Sequence, residues 1–316
     1  CNTMTARENY VSSIAKAKKE DSVIAKRRLM TSVSQSYYNL YANKAKQDVL
    51  IENIKLLKTY ETLALTSVEV GNASVVDVLR LQMRQNELQQ LLDVLIQQFI
   101  TEQTTFNTLL NRKKEVKITV VSELIIPSES YDVSFKGLEI HPELLKFDKL
   151  YYAVEQSELL NQKESSPMIG FGLDYINVEK RPNLDFSDNG KDIIMPMLSI
   201  SIPIFNNKYK SKTKQNQIQQ EEILSQKQER LNKLTIRLDK ALNDRISARI
   251  SFNTQTKNLL QAKNAQEILT KSYETGKMDF NDVLDIQELE LKFQLNQVES
   301  IRRYYIQSTI INYLKQ

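Results

Sequence analysis

Two carboxylates, Asp282 and Asp285, stand three residues apart shortly after Gly276, so a helix running through them carries both on one face. Such a pair can attract cations, or it can simply favour the positive N-terminal end of its helix. A third acid, Asp77, follows Gly71 at the spacing by which Asp282 follows Gly276. Little else in the chain offers chemistry. One His and one Cys occur among 316 residues, so the sequence has no Cys/His nucleophilic pair and no metal-spaced cluster. It also lacks a glycine-rich phosphate loop. These features argue against an enzyme and imply neither a cofactor nor a metal. His141 precedes Pro142-Glu143-Leu144 and reads as a capping or surface residue, since Pro fits a first helical turn where its missing N–H costs nothing.

The elements that must position the acids emerge when the two glycines are aligned. They lie 205 apart (276 − 71), and at that offset Glu69 matches Glu274, Asp77 matches Asp282, and Val78-Leu79 match Val283-Leu284. Gln82 matches Gln287, and the register runs without a gap to Asn107/Asn312 and Leu109/Leu314. Fixed-offset self-similarity marks a duplicated unit. A long apolar-periodic segment leads up to each glycine and another leads away. Gly permits the left-handed backbone that ends a helix, and Ser74 or Asp279 can cap the next one. Each copy is therefore a helix–turn–helix hairpin with its glycine at the tip.

Composition supports long helices. The chain holds only six Gly and six Pro, and its 43 basic and 39 acidic residues nearly balance. Interspersed charges of this kind read as a solvated helical surface, not a nucleic-acid stripe. Cys1 excludes an intrachain disulfide. No apolar run reaches the ~18 residues of a membrane helix.

In chain order, residues 2 to about 70 lack both Gly and Pro and predict a helix roughly 100 Å long, a length that needs coiled-coil packing. Its stripe includes Ile24, Leu29, Leu40, Leu50, Ile51, Ile54 and Leu57; the return helix from about Ser74 carries Val75, Val78, Leu79, Leu88, Leu91 and Leu92. Lys117 to Val121 is β-branched and suggests a small mixed patch. After a helix from Pro142 the period changes to two: Ile169, Phe171, Leu173 and Tyr175 alternate with small or polar residues, and Leu198, Ile200, Ile202 and Ile204 do likewise. Two such strands, apolar on one face, fit either transmembrane β-barrel strands or a soluble amphipathic hairpin. A second breaker-free helix follows from Asn206 to Thr275, with Ile218, Leu224, Leu234, Leu238, Ile250 and Leu260 in its stripe, and a last helix follows the Gly276 turn. The expected organisation is a first helical hairpin at 1–112 with its tip near 71, a small mixed segment at 113–140, a helix at 141–166, a β-hairpin at 167–205, and a second helical hairpin at 206–316 with its tip near 276.

This arrangement resembles the TolC-like outer-membrane efflux family. The resemblance is carried by the Tyr273…Gly276…Asp282-Val283-Leu284-Asp285 tip, its echo Gly71…Asp77-Val78-Leu79, the His-Pro-Glu-Leu at 141–144, and Ser201-Ile202-Pro203-Ile204-Phe205 leading into a helix. It covers the whole chain. It implies a mainly α fold: two tandem repeats of very long coiled-coil helical hairpins, with a β-hairpin contributing to a trimeric transmembrane β-barrel. Family members carry a β-hairpin before each helical hairpin. Here Cys1 falls opposite Asn206, just after the point where the first would end, so the sequence resembles a fragment lacking the opening portion of the usual chain. Lipidation in the family precedes the first helix, so Cys1 is not expected to bear lipid.

The function implied is an exit duct of a tripartite efflux or type I secretion system. Such a duct is a homotrimer in the outer membrane with a long periplasmic extension, and it conducts substrates passively for an inner-membrane pump. Three-fold symmetry would gather Asp282 and Asp285 into a ring of six acids at the periplasmic gate, and the positions matching Tyr273 and Asp77 help latch that gate. The cation that usually follows the Gly by two is replaced by Met278, with Lys277 adjacent. The tips, segments 69–76 and 274–281 with Gly71, Ser74, Gly276 and Lys277, are the expected contacts for a periplasmic adaptor protein. The competing reading is a soluble coiled-coil scaffold or tether, against which the alternating residues 168–204 argue.

Overall fold

The first breaker-free stretch forms one helix in the computed structural model, α1 (Asn2–Glu69), and the second forms another of equal length, α4 (Asn207–Glu274), each 68 residues. The structure describes residues 2–71, 73–128, 137–183, 185–204, 207–274 and 280–315. The return helices are α2 (Val75–Leu109) and α5 (Phe280–Lys315). The 205-residue offset holds at the start of the long helices (207 − 2), at their ends (274 − 69) and at the start of the return helices (280 − 75). Between the copies lie a short 3₁₀ turn at Leu138–Ile140, α3 (Pro142–Glu164), and the strands β1 (Met168–Ile176) and β2 (Ile193–Ser201).

The strands pair antiparallel with Met168 opposite Ser201 and Ile176 opposite Ile193. Because side chains alternate, this register puts Ile169, Phe171, Leu173 and Tyr175 on one face with Ile200, Leu198, Pro196 and Ile194. The other face carries Gly170 and Ser199, Gly172 and Met197, and Asp174 and Met195. No third strand joins this sheet among the described residues, and the apolar face lies open, with Phe171 86% exposed.

The chain divides into two compact units. In one, residues Cys1–Val23 and Pro142–Leu231, Ala17 of α1, Leu144, Ala153 and Val154 of α3 and Ile223 of α4 are buried. Ion pairs Lys146–Asp21 (2.6 Å), Arg7–Glu164 (2.7 Å) and Arg230–Glu143 join the same helices. A polar cluster specifies the α3–α4 contact. Asn216, 2% exposed, donates to Glu158 Oε2 (2.8 Å), Thr213 donates to Oε1 (2.8 Å), and Asn161 donates to Thr213 (3.1 Å).

The other unit, Ile24–His141 and Asn232–Gln316, holds the principal core. Leu50, Ile54, Leu57, Tyr60 and Ala64 of α1 meet Val78, Leu81, Leu88 and Leu92 of α2 and Phe280, Val283 and Leu291 of α5, with Leu269 and Tyr273 of α4 against them. Four helices thus close around the end that carries the Gly71 turn.

Three sequence expectations change. Residues 113–128 form no strand; this segment is held instead by Asn107, which donates to the carbonyls of Lys114 and Val116, and by the hydroxyls of Tyr37 and Tyr41, which accept the N–H groups of Val121 and Leu124. Side chains of the helices thus take the bonds that a partner strand would have made. β2 starts at Ile193 and ends before Pro203, because Ser201 is the residue that pairs with Met168 at the start of β1. His141 is buried, not superficial: its Nε2 lies 3.1 Å from the Tyr313 carbonyl oxygen and its ring meets the Tyr313 ring edge-on. The apolar stripes also exceed what one chain covers, since Leu29, Ile51, Leu91, Ile218, Leu224, Ile250 and Leu260 are all exposed.

Candidate functional site

The first tip is built by local backbone chemistry. α1 closes as Gly71 N–H bonds the Val68 carbonyl (3.0 Å), and Gly71 takes φ +74°, the left-handed region where a side chain is strained. Ser74 is the N-cap of α2. Its hydroxyl accepts from Val76 N–H (3.1 Å), and Asp77 reaches back to accept from Ser74 N–H (3.3 Å), completing a capping box. Around this turn Val70, Val75, Val76 and Leu79 are exposed.

At the second tip, Gly276 and Lys277 lie outside the described residues, as do Met278 and Asp279. Phe280, which occupies in α5 the place of Val75 in α2, is buried. Its ring packs on Tyr273 (4.9 Å between centroids) and edge-on to Tyr60 (6.2 Å). The two tips are therefore not equivalent.

Asp282 and Asp285 sit on the exposed side of the first turns of α5, flanking buried Val283, and neither has an ion-pair partner among the described residues. Tyr273 is half-buried and its hydroxyl has no hydrogen-bond partner among the described residues. Within one chain it makes no hydrogen bond to Asp77, whose carboxylate serves the cap.

Sequence reading passed over two arginines. The Arg80 guanidinium donates to the Asn281 side-chain oxygen, and Arg84 pairs with Glu87 (2.9 Å) and Glu288 (3.5 Å). Together they tie the start of α2 to the start of α5. The signal was available: at the 205 offset Arg80 stands opposite Asp285, a reversal of charge between otherwise similar tips.

Beneath the tips the core turns polar. Gln287, 1% exposed, donates to Asn53 Oδ1 (2.9 Å), and Asn53 donates to Gln294 Oε1 (2.8 Å). Gln266 donates to the Tyr60 hydroxyl (2.9 Å), and burial raises the pKa of that phenol. Glu61 accepts from Gln82 (2.7 Å) and Gln85 (2.8 Å), bonds that hold its carboxyl below its ordinary range. Glu290 is buried, and desolvation pushes its carboxyl up. This arrangement organises helices and presents acids to solvent; nothing in it assembles a nucleophile with a base.

The chain superposes on solved outer-membrane channels along nearly all its length. The outer-membrane channel OprN matches with a TM-score of 0.82 at 15% identity, over 99% of this chain and 71% of that one. The outer membrane protein VceC of Vibrio cholerae matches with 0.78 at 16% identity, over 99% and 76%. The open state of the Neisseria gonorrhoeae outer membrane channel MtrE matches with 0.73 at 13% identity, over 96% and 71%. The chain has the fold of an outer-membrane channel. No protein-family model matches its sequence, and no curated protein does. Long helices packed as hairpins, with one β-hairpin between the copies, are what it shares with these channels.

Proposed function

We propose that the chain is a protomer of an outer-membrane exit duct, a homotrimer serving a tripartite efflux or type I secretion system. The observation that carries this reading is the β1–β2 hairpin. It is uncovered on its apolar face within a chain whose fold is otherwise that of a channel. In lipid every backbone group must find a partner, so strands survive there only in a closed barrel. A two-stranded sheet cannot close on itself, and several chains must contribute. The exposed apolar residues left on α1, α2 and α4 support the same conclusion, since unburied apolar surface marks association.

On this reading the hairpin of 167–205 enters the outer membrane, and the helical hairpins of 1–112 and 206–316 extend into the periplasm. Asp282 and Asp285, exposed and without an ion-pair partner among the described residues, supply the acidic ring of the gate, flanked by Tyr273 and Asp77. The turn at Gly71 and Ser74, with apolar Val70, Val75, Val76 and Leu79 around it, meets the periplasmic adaptor, as do Gly276 and Lys277. An inner-membrane pump supplies the energy, and the duct performs no catalysis.

Single-channel recording in planar bilayers tests the proposal. The protein should give small cation-selective openings, and Asp282→Ala/Asp285→Ala should abolish the cation preference. Absence of any channel from protein shown to be membrane-inserted would sink the reading and favour a helical scaffold.

A further inference from the structure

An arginine without a counterion points to a second site, unrelated to the proposed duct role. Arg27 of α1 lines a cleft of about 200 Å³ between α1 and α5, shared with Ser34, Tyr38, Thr309, Asn312 and Tyr313. Its Nη1 is buried and has no hydrogen-bond partner, and no acid pairs with it among the described residues. Among the described residues no acidic side chain lines the cleft. A second cation stands behind it, since the Arg237 guanidinium of α4 lies 5.3 Å from the centroid of the Tyr313 ring.

Guanidinium stays charged at any physiological pH, and a buried N–H left unmade costs about 1–3 kcal/mol. An arrangement that keeps this cation in place, among the hydroxyls of Ser34 and Tyr38 and the amide of Asn312, has the composition of an anion receptor. Those groups can all donate, while the fork of Arg27 matches two oxygens of one anion. The size fits the same class. A water takes about 30 Å³ and drug-sized ligands need roughly 300 Å³ or more, so the cleft suits a small polyatomic ion or one headgroup.

We propose that the α1–α5 cleft around Arg27 binds a phosphate-type oxyanion, free or carried on a lipid headgroup. The test is thermal unfolding of the purified protein in neutral detergent, with sodium phosphate added at ionic strength matched by sodium chloride. A parallel arm uses micelles doped with phosphatidic acid. Wild type should show a saturable rise in Tm, on the order of 2 °C or more, with at least one of the two probes. Response to phosphate alone identifies the free ion, and response to phosphatidic acid alone identifies the headgroup. Arg27→Gln should lose the response. Because that variant can fail to fold, Asn312→Asp is the second arm. It places a carboxylate in the cleft, and should raise Tm without phosphate while removing the response to it. No response by wild type to either probe, an undiminished response in Arg27→Gln, or a lowered Tm for Asn312→Asp would each overturn the site.

Discussion

Gln287 and Asn53 are joined by a buried hydrogen bond of 2.9 Å that links α5 of the second copy to α1 of the first. Asn53 passes the chain on, donating to Gln294 Oε1 and to the Val49 carbonyl, both at 2.8 Å. The two helical hairpins are thus registered by polar contacts as well as by the surrounding leucines. Asn53→Leu removes the acceptor of Gln287 and should destabilise the protein by about 1–3 kcal/mol, the cost of buried groups left unpaired. Asn53→Leu/Gln287→Leu removes both partners and should recover part of that loss. Denaturant midpoints measure both; a double variant no better than the single one would mean the bond does not couple the helices.

Glu290 lies one turn further along α5. Desolvation raises its carboxyl pKa, Lys263 partly opposing, and its Oε2 has no hydrogen-bond partner among the described residues. The folded chain therefore holds this proton more tightly than the unfolded chain does. Stability from the group is fully present below the unfolded value near 4.5 and is lost as pH rises through the higher folded value. Glu290→Gln keeps the shape without the titration. The variant should match wild type near pH 4 and exceed it at pH 7. Midpoints at the two pH values decide the matter, and an equal difference at both would remove the buried acid from any pH response.

The long helices were legible because Gly and Pro are absent from them and because apolar residues recur at helical spacing. The 205 offset announced the duplication, which returns as equal helix lengths. Strand β1 was legible from its strict alternation. The start of β2 was not: Ile193-Ile194 breaks the alternation and Pro196 argues against a strand, yet a two-stranded sheet leaves open edges where Pro is tolerated. Residue type alone also gives no sign of the buried polar residues. Asn53, Gln287 and Asn216 look like surface residues until their partners on other helices are known, and a single sequence does not pair helices. The same limit hid the cross-helix partners of Arg80 and Arg84, which lie about 200 residues away, although the charge reversal at the 205 offset marked Arg80 itself.

The hairpin offers a directional test of membrane insertion. Phe171 and Ile200 share the apolar face, while Ser199 faces the other way opposite Gly170. If that apolar face meets lipid, Phe171→Arg should cost about 2–4 kcal/mol near the bilayer midplane and sharply reduce the fraction inserted into liposomes. Ser199→Lys should insert nearly as well as wild type, because its face would look into the barrel. Equal loss in both variants would argue for a soluble hairpin packed on another protein.

The tips separate a structural role for Asp77 from a gating one. Ser74→Ala deletes the hydroxyl of the capping box and should cost about 1 kcal/mol, seen as faster amide exchange at Val76 and Asp77. It should leave channel opening unchanged. Arg80→Ala leaves the cap intact but removes the bond to Asn281, so that of the two arginine contacts between the starts of α2 and α5 only Arg84–Glu288 remains. A hydrogen bond contributes about 0.5–1.5 kcal/mol net, so bilayer recordings should show open probability rising roughly two- to twelvefold. Lys113→Ala, beyond the far end of α2, is the control. If Asp77→Ala behaves like Ser74→Ala, its carboxylate is a cap and nothing more. If it also raises opening as Arg80→Ala does, the residue serves both the helix and the gate.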